Sequence, residues 1–181
     1  MLNNINKTFV GLIFTFLSFN SFGQTQRSYL IYDGQSYTSE RIESAVGSPI
    51  ISPTPRSLPD GAYVIPRAAD GHYYLHGFIN GYAMVFLVDT GASISVIPAK
   101  WSRNAGIRAG LVQKIETANG VSQVGVSKGN QLFVGPYKIN NVKIGIQENL
   151  SIPLLGMDIL NQFQLTYANG SLTLRPARQS E

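Results

Sequence analysis

The chain has 181 residues, a formal charge of +4, 44% hydrophobic residues and no cysteine. That length holds one domain plus appendages, because a single core of roughly 100–150 residues is the usual outcome at this size. The missing cysteine excludes a disulfide framework and a lipoprotein anchor, and the scattered Lys and Arg form no basic, aromatic-interleaved run of the kind that binds nucleic acid.

Residues 1–23 read as an export signal: Lys7 supplies charge, Phe9 to Phe19 form a short apolar stretch, and Ser21-Phe22-Gly23 offers small residues for cleavage. The expected location is therefore periplasmic or secreted. The apolar run is shorter than the roughly 18–20 residues of a membrane span, so membrane contact is expected only if this segment stays uncleaved as an anchor. Residues 24–67 are rich in Ser, Thr and Pro, as in Ser52-Pro53-Thr54-Pro55. Proline removes backbone donors and favours extended chain, which predicts a linker or loosely attached extension, a spacer rather than an inhibitory prosegment. Within it Tyr29 to Tyr32 reads as a lone strand with no partner.

Residues 68–178 read as one mainly β domain. Tyr73 to Ile79, the pair Asn80-Gly81 and Tyr82 to Val88 predict a β-hairpin, since Asn-Gly supplies the positive φ of a primed turn. Short strand-like runs follow at 111–118, 121–127, 131–134, 137–139 and 142–146, punctuated by Asn119-Gly120, Gly129-Asn130, Gly135-Pro136 and Asn140-Asn141. Asn169-Gly170 predicts a further hairpin. Two short helices are expected, Pro98 to Ala105 with Pro98 in its first turn, and Met157 to Phe163 with Asp158 near its N-terminal end. Together these elements suit a small barrel-like domain.

The run Val85-Phe86-Leu87-Val88 ends on Asp89-Thr90-Gly91, the sole such triplet in the chain. An ionised carboxylate at the end of an apolar strand is disfavoured unless it is paired or neutralised, which marks Asp89 as a candidate functional residue. Phe86 to Ser93 resembles the active-site loop of aspartic proteases. Pro153 to Leu160 resembles the apolar-apolar-Gly turn and helix that pack beneath that loop. In this order the two segments, over residues 72–177, resemble the single-domain retropepsin-like aspartic proteases, their bacterial exported members above all.

That resemblance implies a small closed-barrel acid-protease fold with one or two short helices and an aspartic endopeptidase activity on peptide or protein substrates. No metal or organic cofactor is implied. In this chemistry two carboxylates share a proton and hold a water. One takes a proton from the water while the other serves the scissile carbonyl oxygen. Two carboxylates about 3 Å apart do not both ionise readily, so such a pair titrates in two separated steps. Asp33, Asp60, Asp70 and Asp158 lack the flanking pattern, so the second carboxylate is expected from Asp89 of a second copy, in a twofold homodimer. Thr90, Gly91, Ala92 and Ser93 complete the loop: Thr90 clamps across the pair, and Gly91 leaves room for water and substrate. Ala118, Asn119 and Gly120 form the expected flap tip over the substrate, and Leu155-Gly156 the support turn.

The chain departs from the retroviral pattern at Ser93 and Met157, where an Asp and an Arg usually form an ion pair, and the dimer is expected to be held differently. Ala92 has no hydroxyl to donate to the carboxylate, so the pH optimum is expected to be less acidic than in pepsin-like enzymes. Plainer readings stand beside these. Asp89-Thr90-Gly91 can serve as a mere strand-ending turn, and Leu154-Leu155-Gly156 as ordinary core. His72 and His76 read as surface residues, since two histidines make no metal site. Trp101 reads as packing. The rival functions are a non-catalytic peptide-binding module on the same scaffold and a structural cell-envelope domain.

Overall fold

Asn80 and Gly81 take φ of 50° and 82°, the left-handed conformation that a two-residue primed turn needs. They join β5 (Tyr74–Ile79) to β6 (Tyr82–Val88) in an antiparallel ladder running from Ile79↔Tyr82 to Tyr74↔Leu87. The computed structural model describes residues 29–32, 35–38, 55–117 and 120–177. In it β5 also pairs with β9 (Gly120–Val134), and β9 with β10 (Tyr137–Gln147). Strand β10 runs parallel to β7 (Val96–Pro98), β7 meets β11 (Leu154–Leu155), and β11 returns in parallel to β6. The pairings close a ring, with β8 (Val112–Thr117) attached to β9 outside it. The fold is mainly β, as its turn signals indicate.

Alternation along β5 and β6 fills the ring. Leu75, Ile79, Met84 and Phe86 are at most 1% exposed and share one cluster with Leu132, Ile139, Leu155 and Leu172. Among the described residues the helices are single turns: α1 (Ala99–Ser102), with Pro98 as its N-cap, and α2 (Met157–Leu160). Both are shorter than the sequence suggests. The chain leaves α1 early so that Ala105 and Ile107 can enter the core, and Phe163 leaves α2 to begin a strand as a buried residue. Trp101 packs in the core.

Two expected breaks are not breaks. Gly129 and Asn141, at φ of 78° and 58°, lie inside the continuous strands β9 and β10. Between Ile139↔Leu132 and Val142↔Asn130, β10 holds one residue more than β9; between Val142↔Asn130 and Ile144↔Ser127 the excess passes to β9. These are paired, opposed β-bulges, which re-aim a strand without ending it. The buried Asn130 amide is satisfied there, accepting from Asn80 Nδ2 at 3.0 Å and donating to the Val142 carbonyl at 3.3 Å. Tyr29–Tyr32 (β1) likewise does have a partner, β2 (Gln35–Thr38), with Asp33-Gly34 between them in sequence as the turn signal.

The second sheet has the order β12 (Phe163–Ala168), β13 (Ser171–Pro176), β4 (Tyr63–Pro66) and β3 (Arg56–Ser57). Asn169 and Gly170, both at positive φ, turn its hairpin. Strands β3 and β4 come from the stretch that composition assigns to the extension, yet Tyr63 and Ile65 are core residues. The Tyr137 hydroxyl donates to the Gly61 carbonyl, and Arg175 pairs with Asp60 at 2.7 Å. Burial of side chains such as Tyr63, Val64 and Ile65 contributes about 1.5–3 kcal/mol each, comparable in sum to the whole stability of a domain. A chain beginning at Asp70 is therefore expected to show no cooperative melt, whereas one beginning at Pro55 melts like the full chain. Thermal unfolding followed by circular dichroism distinguishes them. Equal melting of the two would show β4 to be dispensable.

Candidate active site

Strand β6 delivers Asp89 to the end of the ring. The Asp89 N–H donates to the Leu155 carbonyl at 3.0 Å, extending the β6–β11 pairing by one residue, and the Ala92 N–H donates back to the Asp89 carbonyl at 3.2 Å. The chain then turns. The Gly91 N–H donates to Asp89 Oδ1 at 2.9 Å, and a Cβ on Gly91 would lie 3.2 Å from that oxygen. Asp89 is half-buried rather than enclosed, and Thr90, Gly91 and Ser93 are exposed. The loop presents its carboxylate at the surface of a single chain.

Beneath the loop the Gly156 turn is tightly fitted. The Met157 N–H donates to the Ala92 carbonyl at 2.8 Å, and the Asp158 N–H to the Ser93 carbonyl at 3.2 Å. A Cβ on Gly156 would meet the Ile94 carbonyl carbon at 2.5 Å and the Ala92 carbonyl oxygen at 2.9 Å. Both are backbone atoms that cannot swing aside. The loop and the support turn thus form one hydrogen-bonded layer.

Ser95 completes that layer. It is fully buried, its Oγ accepts from the Gly156 N–H at 3.0 Å and donates to Asp158 Oδ1 at 2.8 Å. Asp158, expected as a helix-end charge, is thereby a bracket between loop and turn. Burial raises its carboxyl above the ordinary 3.8, against the hydrogen bonds from Ser95 that lower it. A raised native value means that the folded state holds the proton more tightly than the unfolded chain. This contribution to stability is full below 3.8 and is lost as pH rises through the native value. Asp158→Asn keeps an acceptor for Ser95 but cannot ionise. The wild type is therefore expected to gain stability relative to Asp158→Asn on acidification, read as the difference in melting temperature across pH. A difference independent of pH would remove the ionised Asp158 from the account. Ser95→Ala strands the Gly156 N–H and is expected to cost about 1–3 kcal/mol.

Next to the loop stands the hairpin of β8 and β9, paired from Val112↔Gly125 to Thr117↔Gly120. Its tip residues Ala118 and Asn119 lie outside the described residues, and Gly120 starts β9. On its inner face Ile115 and Val124 pack with Ile94, Val96 and Leu150. Gln147 Nε2 donates to Ser122 Oγ at 3.1 Å, tying the hairpin to the end of β10. Val112 and Val121 occupy the outer face, 66% and 69% exposed. Ile97 instead points into the main core, so of the apolar residues after the loop Ile94 and Val96 are the ones beneath the hairpin.

The remaining polar candidates are accounted for locally. Asp60 accepts from Arg175 and from the Ala62 N–H, and Asp70 from the Tyr74 hydroxyl and the His72 N–H. His72 is exposed, but His76 is half-buried on β5, and burial lowers its pKa to about 4, so it is neutral at pH 7. It is not the surface residue that its spacing suggests.

Comparison with known proteins follows the same segment. The family described as "gag-polyprotein putative aspartyl protease" matches residues 75–162. An uncharacterized protein of Rickettsia prowazekii (strain Madrid E) is 31% identical over 109 residues, covering 58% of this chain and 46% of that protein. The chain thus spans about half the length of that relative. The crystal structure of a retropepsin-like aspartic protease from Rickettsia conorii superposes with a TM-score of 0.56 at 29% identity, covering 63% of this chain and 89% of the other.

Proposed function

Since the chain belongs to the retropepsin-like aspartic protease family, we propose that it is an aspartic endopeptidase working as a homodimer, with Asp89 of each copy forming the catalytic pair. The observation that carries this reading is the half-exposed Asp89 carboxylate on a loop fixed by Gly91, Leu155 and Gly156. Asp60, Asp70 and Asp158 are each engaged by partners within the chain, which favours a second copy as the source of the other carboxylate.

One Asp89 carboxylate takes a proton from a water held between the pair while that water's oxygen attacks the peptide carbonyl carbon. The other Asp89, protonated, gives its proton to the carbonyl oxygen. Breakdown returns a proton to the departing amine. Ile94 and Ile115, half-buried between the loop and the hairpin, offer an apolar surface beside Asp89, which suits peptides with hydrophobic side chains. The β8–β9 hairpin serves as the lid. Residues 1–23 direct export to the periplasm or beyond, and the stretch up to residue 54 acts as a spacer.

The test is a peptide-library digest by wild type and Asp89→Asn across pH. Cleavage by the wild type alone, sensitive to a pepstatin-type inhibitor, is the expected result; equal cleavage by both would end the assignment.

A further inference from the structure

Resting on the endopeptidase reading above, we propose that Gln147 is a positioning residue for that reaction, holding the β8–β9 lid through Ser122 so that only the part beyond Ser122 lifts freely.

Strand β9 changes neighbours along its length. From Val134 back to Gly125 it pairs with β10, and the last register pair is Ile146↔Gly125. Gly125 also begins the pairing with β8, opposite Val112. At this residue β9 therefore lies between two strands, and from Val124 to Gly120 it is accompanied by β8 alone. A two-stranded arm is marginal by itself, and backbone pairing alone would let it swing from Gly125. The root is closely packed. An added Cβ on Gly110 would lie 2.4 Å from the Val126 carbonyl oxygen, and one on Gly125 would lie 2.7 Å from the Ala109 Cβ. The chain entering β8 thus crosses β9 in direct contact, an approach that glycine permits.

Gln147 extends the attachment beyond that root. It is the last residue of β10, and its register partner is Pro98 of β7, not a residue of β9. Its side chain makes the connection instead, Nε2 donating to Ser122 Oγ at 3.1 Å, three residues past Gly125 toward the tip. Opposite Ser122 on β8 stands Ile115, which packs on Val96 and Val124 beside Ile94 and Leu150. Both strands of the lid are therefore pinned at one level, β9 by a hydrogen bond and β8 by apolar contact. Ser122 and Gln147 are half-buried, and Val124, between the bond and the root, is fully buried. The bond sets how far the lid stands above Ile94, which follows the Asp89 loop in sequence. Admitting or releasing a peptide either bends the lid beyond Ser122 or breaks this bond. A bond that holds the lid down slows entry and exit alike, so its loss speeds both and leaves affinity nearly constant.

The chain has no cysteine, so a single introduced thiol reports opening through its rate of reaction with a thiol reagent. Val124→Cys places it under the lid, and Val134→Cys, also fully buried, places it in the main core as the control for global opening. In the full chain, Ser122→Ala and Gln147→Leu should each speed labelling of the Val124→Cys variant by about three- to tenfold, the worth of one net hydrogen bond. Combining the two should add nothing, because they remove the same contact. Labelling of the Val134→Cys variant should not change, and Gln147→Glu, which can accept from the Ser122 hydroxyl, should restore slow labelling. Without any introduced thiol, a pepstatin-type inhibitor should bind and leave Gln147→Leu faster by the same factor, its dissociation constant within about twofold of wild type. Unchanged labelling in both single variants, or additive effects in the double, overturns the hinge and leaves the endopeptidase reading standing. Affinity that falls while association is unchanged makes Gln147 an ordinary binding contact and also overturns it. Faster labelling in a protein that neither binds the inhibitor nor cleaves peptides upholds the bond but ends the endopeptidase reading.

Discussion

Asp89→Asn is expected to lower kcat/KM for peptide cleavage by about 10²–10⁴-fold, the range that positioned acid–base groups supply. The loss is large because one substitution removes both members of the proposed pair. It is expected to be selective for chemistry. Asp89 is half-buried, its backbone N–H still reaches the Leu155 carbonyl, and an amide oxygen can still accept from Gly91. A change at such a position shifts stability by about 0.5 kcal/mol or less. Activity lost together with the melt would point to a structural turn instead.

Gly156→Ala is expected to act in the opposite order, through the fold first. Its Cβ would stand 2.5 Å from the Ile94 carbonyl carbon and 2.6 Å from the Ile94 oxygen. Relief requires moving the backbone that carries Asp89. Overpacking of this kind costs about 1–3 kcal/mol, or roughly 10 °C in melting temperature at the upper end for a domain of this size. The displaced loop also breaks the Met157 to Ala92 bond, so turnover should fall by about a hundredfold even in the folded fraction, as misplaced catalytic groups do. Gly81→Ala is the comparison: that turn has φ of 82° and nothing within 4 Å of an added Cβ, so only local strain of about 1–2 kcal/mol is expected. A melt and a turnover assay on both variants separate the effects. Equal behaviour would show that the Gly156 contact is not special.

What could be read from the sequence was local. Asn80-Gly81 and Asn169-Gly170 announce their hairpins because a primed turn needs positive φ in adjacent residues. The Asp89 loop was legible because its apolar strand, carboxylate and glycine are contiguous. Gly129 and Asn141 misled because the left-handed conformation serves bulges as well as turns, and only the partner strand decides which. Strand β4 hid among prolines because its partner β13 follows about a hundred residues later, too far for any local pattern. Ser95 and Asp158 are 63 residues apart, yet a clue existed: a hydroxyl set between Ile94 and Val96-Ile97 must find a partner once buried. The departures at Ser93 and Met157 were visible as substitutions, while the packing of half-buried Met157 against the core needed the fold.

The central claim is that each active site needs two chains, and mixing tests it most directly. A fixed amount of wild type is re-equilibrated with an equal amount of Asp89→Asn, well above the dissociation constant. Random pairing leaves about one quarter of the dimers with two Asp89 carboxylates. Activity is predicted to fall to about half that of the unmixed wild type, and toward zero with excess variant. Activity unchanged by any amount of Asp89→Asn chain would contradict the shared site.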